Sequence, residues 1–237
     1  MALPKIVTAS YTLKLPSTGK QVKYRPFLVK EEKLLLMAME NEDEGETIST
    51  IKQIITDCTD VKVVDELPTF DIEYLFLKIR AKSVGESSKV LITCPDDGET
   101  DVSIDIDLSS VEVITDPEHN KKIEITDKVG MLMKYPSLDT FVKMNISGTQ
   151  QNEIEQVFDL AADCIDNIYD ENQIYDGADT PRKEKIEFLE QMDSSQFQKV
   201  QKFFETMPKL KKTIVVTNPK TSVESEVVLE GLASFFA

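Results

Sequence analysis

The chain has 237 residues, of which 41% are hydrophobic and 30% are charged, and its 43 acidic and 27 basic residues give a net charge of −16. This composition is typical of a folded globular protein, and the negative charge disfavours nucleic acids and anionic membrane surfaces as partners. Because no apolar run approaches the roughly 20 residues of a membrane span, no transmembrane segment is predicted.

The first third of the sequence predicts a hairpin followed by three helices. Apolar residues alternate on both sides of a turn at residues 16–19 (PSTG), which indicates two short strands. A dense apolar segment at 34–39 predicts the first helix. Isoleucines at helical spacing within 48–58 predict the second, and an apolar stripe within 72–79 predicts the third.

The middle of the sequence predicts strands, and most of the remainder predicts helices. Residues 90–92 are expected to pair with the alternating strand 102–106, and 111–115 with 122–125. Helical spacing then continues from 154 to 168. Further predicted elements are a helix that starts at Thr180-Pro181, a helix with a capping box at 193–196 that runs to Met207, and a last hairpin of 214–216 with 227–229.

Together these elements predict an α+β fold with a mostly helical body and short antiparallel β-hairpins. We divide the chain into four parts, which form one compact unit or two intimately packed subdomains. They are an N-terminal hairpin with helices (1–88), a β-hairpin module (89–126), a helical region (127–212), and a C-terminal hairpin and tail that pack back on the β module (213–237).

Two hairpins contain a turn that resembles a zinc knuckle, in which a strand leads into Cys-Pro-x-Cys-Gly. Residues 92–98 (ITCPDDG) and 216–219 (VTNP) share the strand, a threonine and a proline-led turn. Only the first cysteine is a good zinc ligand, so we predict no metal site and interpret both turns as degenerate zinc-knuckle-like hairpins. The four knuckle positions are Cys94, Asp97, Asn218 and Thr221.

Residues suited to catalysis are scarce, and we predict neither a catalytic site nor a cofactor. His119 is the only histidine and lies in a polar turn, while Cys58 and Cys164 fall on or beside apolar stripes and are expected in the core. A hydrolase that works through carboxylates remains a remote alternative in so acidic a chain. The three cysteines form no disulfide framework and the N-terminus does not resemble a signal peptide, so we expect a reducing, intracellular environment.

Five segments, in this order and at these spacings, resemble the baseplate hub assembly proteins of T-even-like contractile-tailed bacteriophages. The resemblance extends over almost the whole chain. Family members often carry Cys-Pro-x-Cys-Gly knuckles at the two hairpins, so the departures at Asp97, Asn218 and Thr221 remove any inference of zinc. The segments are residues 23–33 (KYRPFLVKEEK), 71–86 (DIEYLFLKIRAKSVGE), 164–170 (CIDNIYD), 203–210 (FFETMPKL) and 231–236 (GLASFF).

The resemblance implies a non-enzymatic role in the host cytoplasm during phage assembly. Such a protein promotes assembly of the baseplate hub, and we expect it to do so by binding, as a chaperone, the tape-measure protein or hub subunits. A permanent structural subunit of the virion baseplate is the alternative. Self-association stays open.

Two regions are candidates for contact with such a partner. Residues 144–181 contain nine acidic residues and no lysine or arginine, and the last part of the chain is rich in phenylalanine. We expect the apolar tail at 232–236 to dock into its own domain rather than into another chain, because free apolar tails promote aggregation. The candidate residues are Glu153, Glu155, Asp159, Asp163, Phe197, Phe203, Phe204, Met207, Phe235 and Phe236.

Overall fold

A computed structural model describes residues 7–40, 44–138, 140 and 153–235. The chain divides into two compact units, of which unit 1 comprises Met1–Ile114 and Lys209–Ala237, and unit 2 comprises Thr115–Pro208. The described part holds six α-helices and four small antiparallel sheets, which confirms the α+β class. None of its helices has the length and apolar character needed to cross a bilayer.

Unit 1 combines three helices with three small sheets. The first sheet is the predicted hairpin, β1 (Tyr11–Lys14) with β2 (Gln21–Tyr24). Three helices follow, α1 (Val29–Glu40), α2 (Glu44–Cys58) and α3 (Thr69–Ser83). The other strands are β3 (Ser87–Thr93) with β4 (Asp101–Asp107), and a sheet in which β10 (Lys209–Thr217) lies between β5 (Glu112–Ile114) and β11 (Glu224–Glu230).

The core of unit 1 is formed by residues that are far apart in sequence. The inward faces of the β3–β4 and β10–β11 hairpins pack together with Leu77 of α3 and with Phe235, both of which are fully buried. Alternation along the strands supplies the inward residues, with Val90 opposite Ile104 and Ile214 opposite Val227.

Unit 2 packs three helices on one four-stranded sheet. The sheet order is β6 (Lys122–Glu124), β7 (Gly130–Met133), β8 (Ile165–Tyr169) and β9 (Ile174–Asp176). The helices are α4 (Glu153–Asp163), α5 (Arg182–Glu190) and α6 (Ser194–Thr206). Their apolar faces share a core with the sheet that contains Met131, Ile165 and Phe203.

Two predicted elements are wrong. The helix predicted for 154–168 ends at Asp163, and Ile165–Tyr169 forms β8, which pairs with β7. The hairpin predicted between 111–115 and 122–125 does not form. Instead, Val113 of β5 pairs with Leu210 of β10, and β6 pairs with β7. The region 127–212 is therefore mixed rather than helical.

Candidate functional site

A groove that includes one of the predicted partner residues, Phe197, lies on unit 2 between α4, α5 and α6. It has a volume of about 360 Å³ and is lined by the apolar side chains of Phe158, Leu189, Met192 and Phe197. The rings of Phe158 and Phe197 stack with their centroids 4.8 Å apart. Leu189 is buried, whereas the other three side chains are half-buried, so apolar surface is open to an apolar side chain of a partner.

The rim of this groove is acidic because of how α6 begins. Asp193 caps α6 in the predicted capping box: its side chain accepts a hydrogen bond from the Gln196 backbone nitrogen at 2.9 Å, and the Gln196 side chain accepts one from the Asp193 nitrogen at 3.0 Å. This box fixes the turn between α5 and α6 and places Asp193 beside Glu190 at the rim. An apolar floor with acidic edges complements an amphipathic, basic segment.

The predicted acidic residues of α4 differ in their surroundings. Glu155 is exposed, one helical turn before Phe158. Arg182 of α5 lies 3.5 Å from an Asp159 oxygen and 3.2 Å from an Asp163 oxygen, so both carboxylates are partly neutralised within unit 2. The side chain of Glu153 lies outside the described residues. Of the acidic candidates that are described, Glu155 is the one that the structure leaves exposed.

The predicted aromatic and methionine candidates also separate into two groups. Phe203 and Phe235 are fully buried in the cores of unit 2 and unit 1, respectively, so the described segment Leu232–Phe235 packs within its own unit. Phe204 and Met207 are half-buried, like Phe197. Phe236 lies outside the described residues. The predicted candidates that remain accessible are therefore Phe197, Phe204 and Met207.

In unit 1 the two knuckle-like turns contact each other through Asp96, which lies between the knuckle positions 94 and 97. The Asp96 carboxylate accepts hydrogen bonds from the Asn218 side-chain nitrogen at 3.0 and 3.1 Å and from the Thr221 hydroxyl at 2.5 Å. These bonds lower the pKa of Asp96. Asn218 is almost completely buried, so Asp96 accepts the hydrogen bonds of a side-chain amide nitrogen that would otherwise be buried without a partner.

The two turns also share one backbone geometry. The Gly98 nitrogen donates to the Cys94 oxygen at 2.9 Å, and the Ser222 nitrogen donates to the Asn218 oxygen at 2.8 Å. Gly98 and Ser222 both adopt a positive φ, of 66° and 61°. The similarity of the two hairpins that the sequence suggests therefore extends to their turns.

The knuckle positions themselves do not form a metal centre. Asp97 is occupied within its own turn, where it accepts hydrogen bonds from the Thr100 hydroxyl at 2.5 Å and from two backbone nitrogens, and these bonds lower its pKa. Burial and the neighbouring carboxylates raise the pKa of the Cys94 thiol. Within the described ranges, no group of three histidine, cysteine or acidic side chains is arranged to hold a metal ion. The zinc-knuckle-like assignment of the two hairpins is therefore not supported.

The histidine and the other two cysteines take part in packing. The His119 ring lies 3.0 Å from the Thr206 hydroxyl and 3.1 Å from the Tyr135 hydroxyl, and burial, together with Lys121, lowers its pKa. Burial raises the pKa of the thiols of Cys58 to about 11 and Cys164 to about 12. At neutral pH both thiols are protonated, and a protonated thiol is a poor nucleophile.

A second cavity, of about 380 Å³, borders the other side of α6. Three lysines line it, but each has a partner. Lys122 lies 3.2 Å from Glu124, Lys202 lies 2.5 Å from Glu118, and Lys199 donates to the Glu124 backbone oxygen at 2.6 Å. Helix α6 thus separates the acid-rimmed groove from a cavity of mixed charge.

Sequence reasoning missed three residues that define these sites. Asp96 was passed over because the knuckle spacing directs attention to positions 94 and 97. Arg182 is the first basic residue after the acidic stretch 144–181, and this position was the available signal for an ion pair with α4. No sequence pattern indicates that Met192 lines the groove, because its position depends on the turn between α5 and α6.

A family model described as T4 bacteriophage base plate protein matches residues 8–237, which include both units and all five segments of the resemblance. No curated protein and no solved structure matches the chain.

Proposed function

The chain belongs to the T4 bacteriophage base plate protein family, which gives it a role at the phage baseplate among other baseplate proteins, and from that premise we propose that it is a non-enzymatic assembly factor. In this proposal it promotes assembly of the baseplate hub in the host cytoplasm. It does so by binding an amphipathic helix of the tape-measure protein or of a hub subunit.

The acid-rimmed groove on unit 2 is the observation that carries this proposal. Its half-buried Phe158, Met192 and Phe197 offer a pocket for one apolar anchor of a helix, while Glu190 and Asp193 suit flanking lysines or arginines. The thiols of Cys58 and Cys164, which the sequence predicts to lie in the core, are buried and protonated and are therefore poor nucleophiles, which favours binding over chemistry.

The groove is tested by adding positive charge to its wall without disturbing the core. Gln198 and Gln201 line the groove and are exposed, so the double variant Gln198→Lys, Gln201→Lys should change stability by no more than about 0.5 kcal/mol. The variant and the wild type are co-expressed with the other tail genes, and the proteins that co-purify are identified and quantified at about 0.15 M salt, where screening is incomplete.

We expect the double variant to recover less than about one tenth of the partner that the wild type recovers, because each added lysine opposes a basic segment. The matched control is Asn172→Lys, Gln173→Lys, which adds the same two positive charges at exposed sites of unit 2 outside the groove lining. Equal recovery by both double variants would refute the groove as the binding site.

A permanent structural subunit of the baseplate is the second candidate, because family membership is equally compatible with it. Counting copies of the protein in purified virions separates the two, since an assembly factor is absent from or substoichiometric in the particle. A carboxylate-dependent hydrolase is the remote third candidate, and activity screening with aspartate and glutamate substitutions tests it.

A further inference from the structure

Helix α1 in unit 1 presents an unusual amount of apolar surface to solvent. Leu28, directly before the helix, and Val29, Leu34, Leu36 and Met37 within it have exposed fractions between 41% and 80%, all within ten residues of one another. The chain is 30% charged and strongly acidic, so a dense exposed apolar cluster on a single helix is not explained by its composition. Patches of this kind mark interaction sites.

The inward face of α1 explains why these side chains point outward. Glu31 and Ala38 are two turns apart and are both buried. Glu31 is held there by the Arg25 guanidinium at 2.9 Å and by the Leu28 backbone nitrogen at 2.7 Å. With about 100° per residue, this anchor turns the opposite face of the helix to solvent.

The outward face carries a regular stripe of apolar and charged residues. Its members are separated by four, three and four residues, which is the spacing of a seam between two helices. The charges on this face are polarised, with Lys30 and Lys33 towards the start of the helix and Glu40 at its end, and all three are exposed. The members of the stripe are Val29, Lys33, Leu36 and Glu40, with Met37 beside them.

We propose that α1 pairs antiparallel with α1 of a second copy of this chain. At about 1.5 Å of rise per residue, antiparallel pairing that aligns Lys33 with the partner's Leu36 brings Glu40 of one copy within about one helical turn of Lys30 and Lys33 of the other. A twofold axis repeats each contact, so the lysines of each copy face the glutamate of the other at both ends of the helix pair. Parallel pairing would instead place Glu40 against Glu40 and Lys33 against Lys33, which is repulsive.

The expected dimer is weak. The 12 residues of α1 span about 18 Å, which is too short to bury the roughly 800 Å² per partner of a standard interface. We therefore expect a dissociation constant on the order of 10 to 100 µM. This proposal concerns unit 1 and does not depend on the groove of unit 2.

Sedimentation equilibrium of the full chain across that concentration range tests the pairing. The weight-average mass of the wild type should rise from 26.8 kDa towards twice that value. Leu36→Lys should keep the protein monomeric. Leu91→Lys, at a leucine of β3 that is 60% exposed, is the matched control and should dimerise like the wild type.

Charge exchange then tests the orientation. Lys33→Glu and Glu40→Lys should each weaken the dimer by about fivefold, and the double variant should dimerise more tightly than either single variant, because the two opposite charges lie about one turn apart across the antiparallel pair and are exchanged. A wild type that stays monomeric overturns the proposal and leaves the face to a different protein. Dimerisation by Leu36→Lys, or a double variant no stronger than the singles, also overturns it.

Discussion

The Glu31 carboxylate provides a sharp test of how unit 1 holds α1 in place. Its side chain is only 1% exposed and lies 2.9 Å from Arg25 and 3.1 Å from Lys30. Burial alone would raise the pKa of Glu31, but hydrogen bonds from Arg25, the Leu28 nitrogen and Lys30 outweigh it and lower the pKa from 4.5 to about 2.

This depressed pKa predicts both a magnitude and a pH window. The difference of about 2.5 pKa units between unfolded and folded states corresponds to about 3 kcal/mol of stability. Because the folded-state pKa is the lower one, that stability is fully present above about pH 4.5 and is lost as the pH falls towards 2. At pH 3 roughly half of it, about 1 to 2 kcal/mol, should remain.

Replacing Glu31 with glutamine removes the charge while keeping the shape and one acceptor. We expect Glu31→Gln to lower the free energy of unfolding by about 2 to 3 kcal/mol at pH 7 and by about half as much at pH 3. Urea unfolding followed by far-UV circular dichroism at both pH values measures this. Glu32→Gln, at the next position of α1, is the control and should cost less than about 0.5 kcal/mol. A loss that is the same at both pH values would refute the electrostatic explanation.

Three further predictions concern the turns and the thiols. Asn218→Asp places a buried carboxylate against Asp96, so urea unfolding should show a loss of about 2 kcal/mol or more at pH 7 that diminishes as the pH is lowered and the carboxyl is protonated. Ser222→Gly should raise the free energy of unfolding in urea by about 0.5 to 1 kcal/mol, because φ is 61° at this position and glycine adopts it without strain. The thiols of Cys58 and Cys164 should resist Ellman's reagent at pH 8 in the folded protein and react fully in urea, since both are buried and their pKa values are raised to about 11 and about 12.

The sequence predicts the elements that depend on local pattern and misses those that depend on distant partners. Alternation in 90–92 and 102–106 gives the β3–β4 hairpin, and the capping box at 193–196 gives the start of α6. Ile165 and Ile168, by contrast, fit the helical spacing of α4 but lie in β8. They do so because β7 pairs alongside, with Gly130 so close to Tyr169 that a Cβ atom would lie 2.2 Å from its hydroxyl.

The candidate sites show the same difference between features set by local pattern and features set by distant contacts. The pattern of 197–207 identifies an aromatic helix, and its spacing does not reveal that Phe203 fills the core while Phe197 lines a groove. Similarly, the knuckle spacing locates the two turns that meet, but the contact between them uses Asp96, whose role depends on the buried amide of Asn218. Which face of an element is buried depends on neighbours that the local pattern does not contain.

The order of elements along the chain explains the mispaired hairpin and makes the two proposed surfaces separable. Unit 2 is inserted between β5 and β10 of unit 1, and these strands pair with Ile114 opposite Lys209, so the insertion leaves and returns at one point of one sheet. A prediction made in chain order pairs 111–115 with 122–125, the next strand along the chain. In the structure β5 pairs instead with β10, which follows the whole of unit 2 in the sequence. Each unit has its own core, and Leu36→Lys on α1 and the lysine substitutions in the groove lie at exposed positions of different units. Loss of dimerisation without loss of partner binding, or the reverse, can therefore be assigned to a single surface.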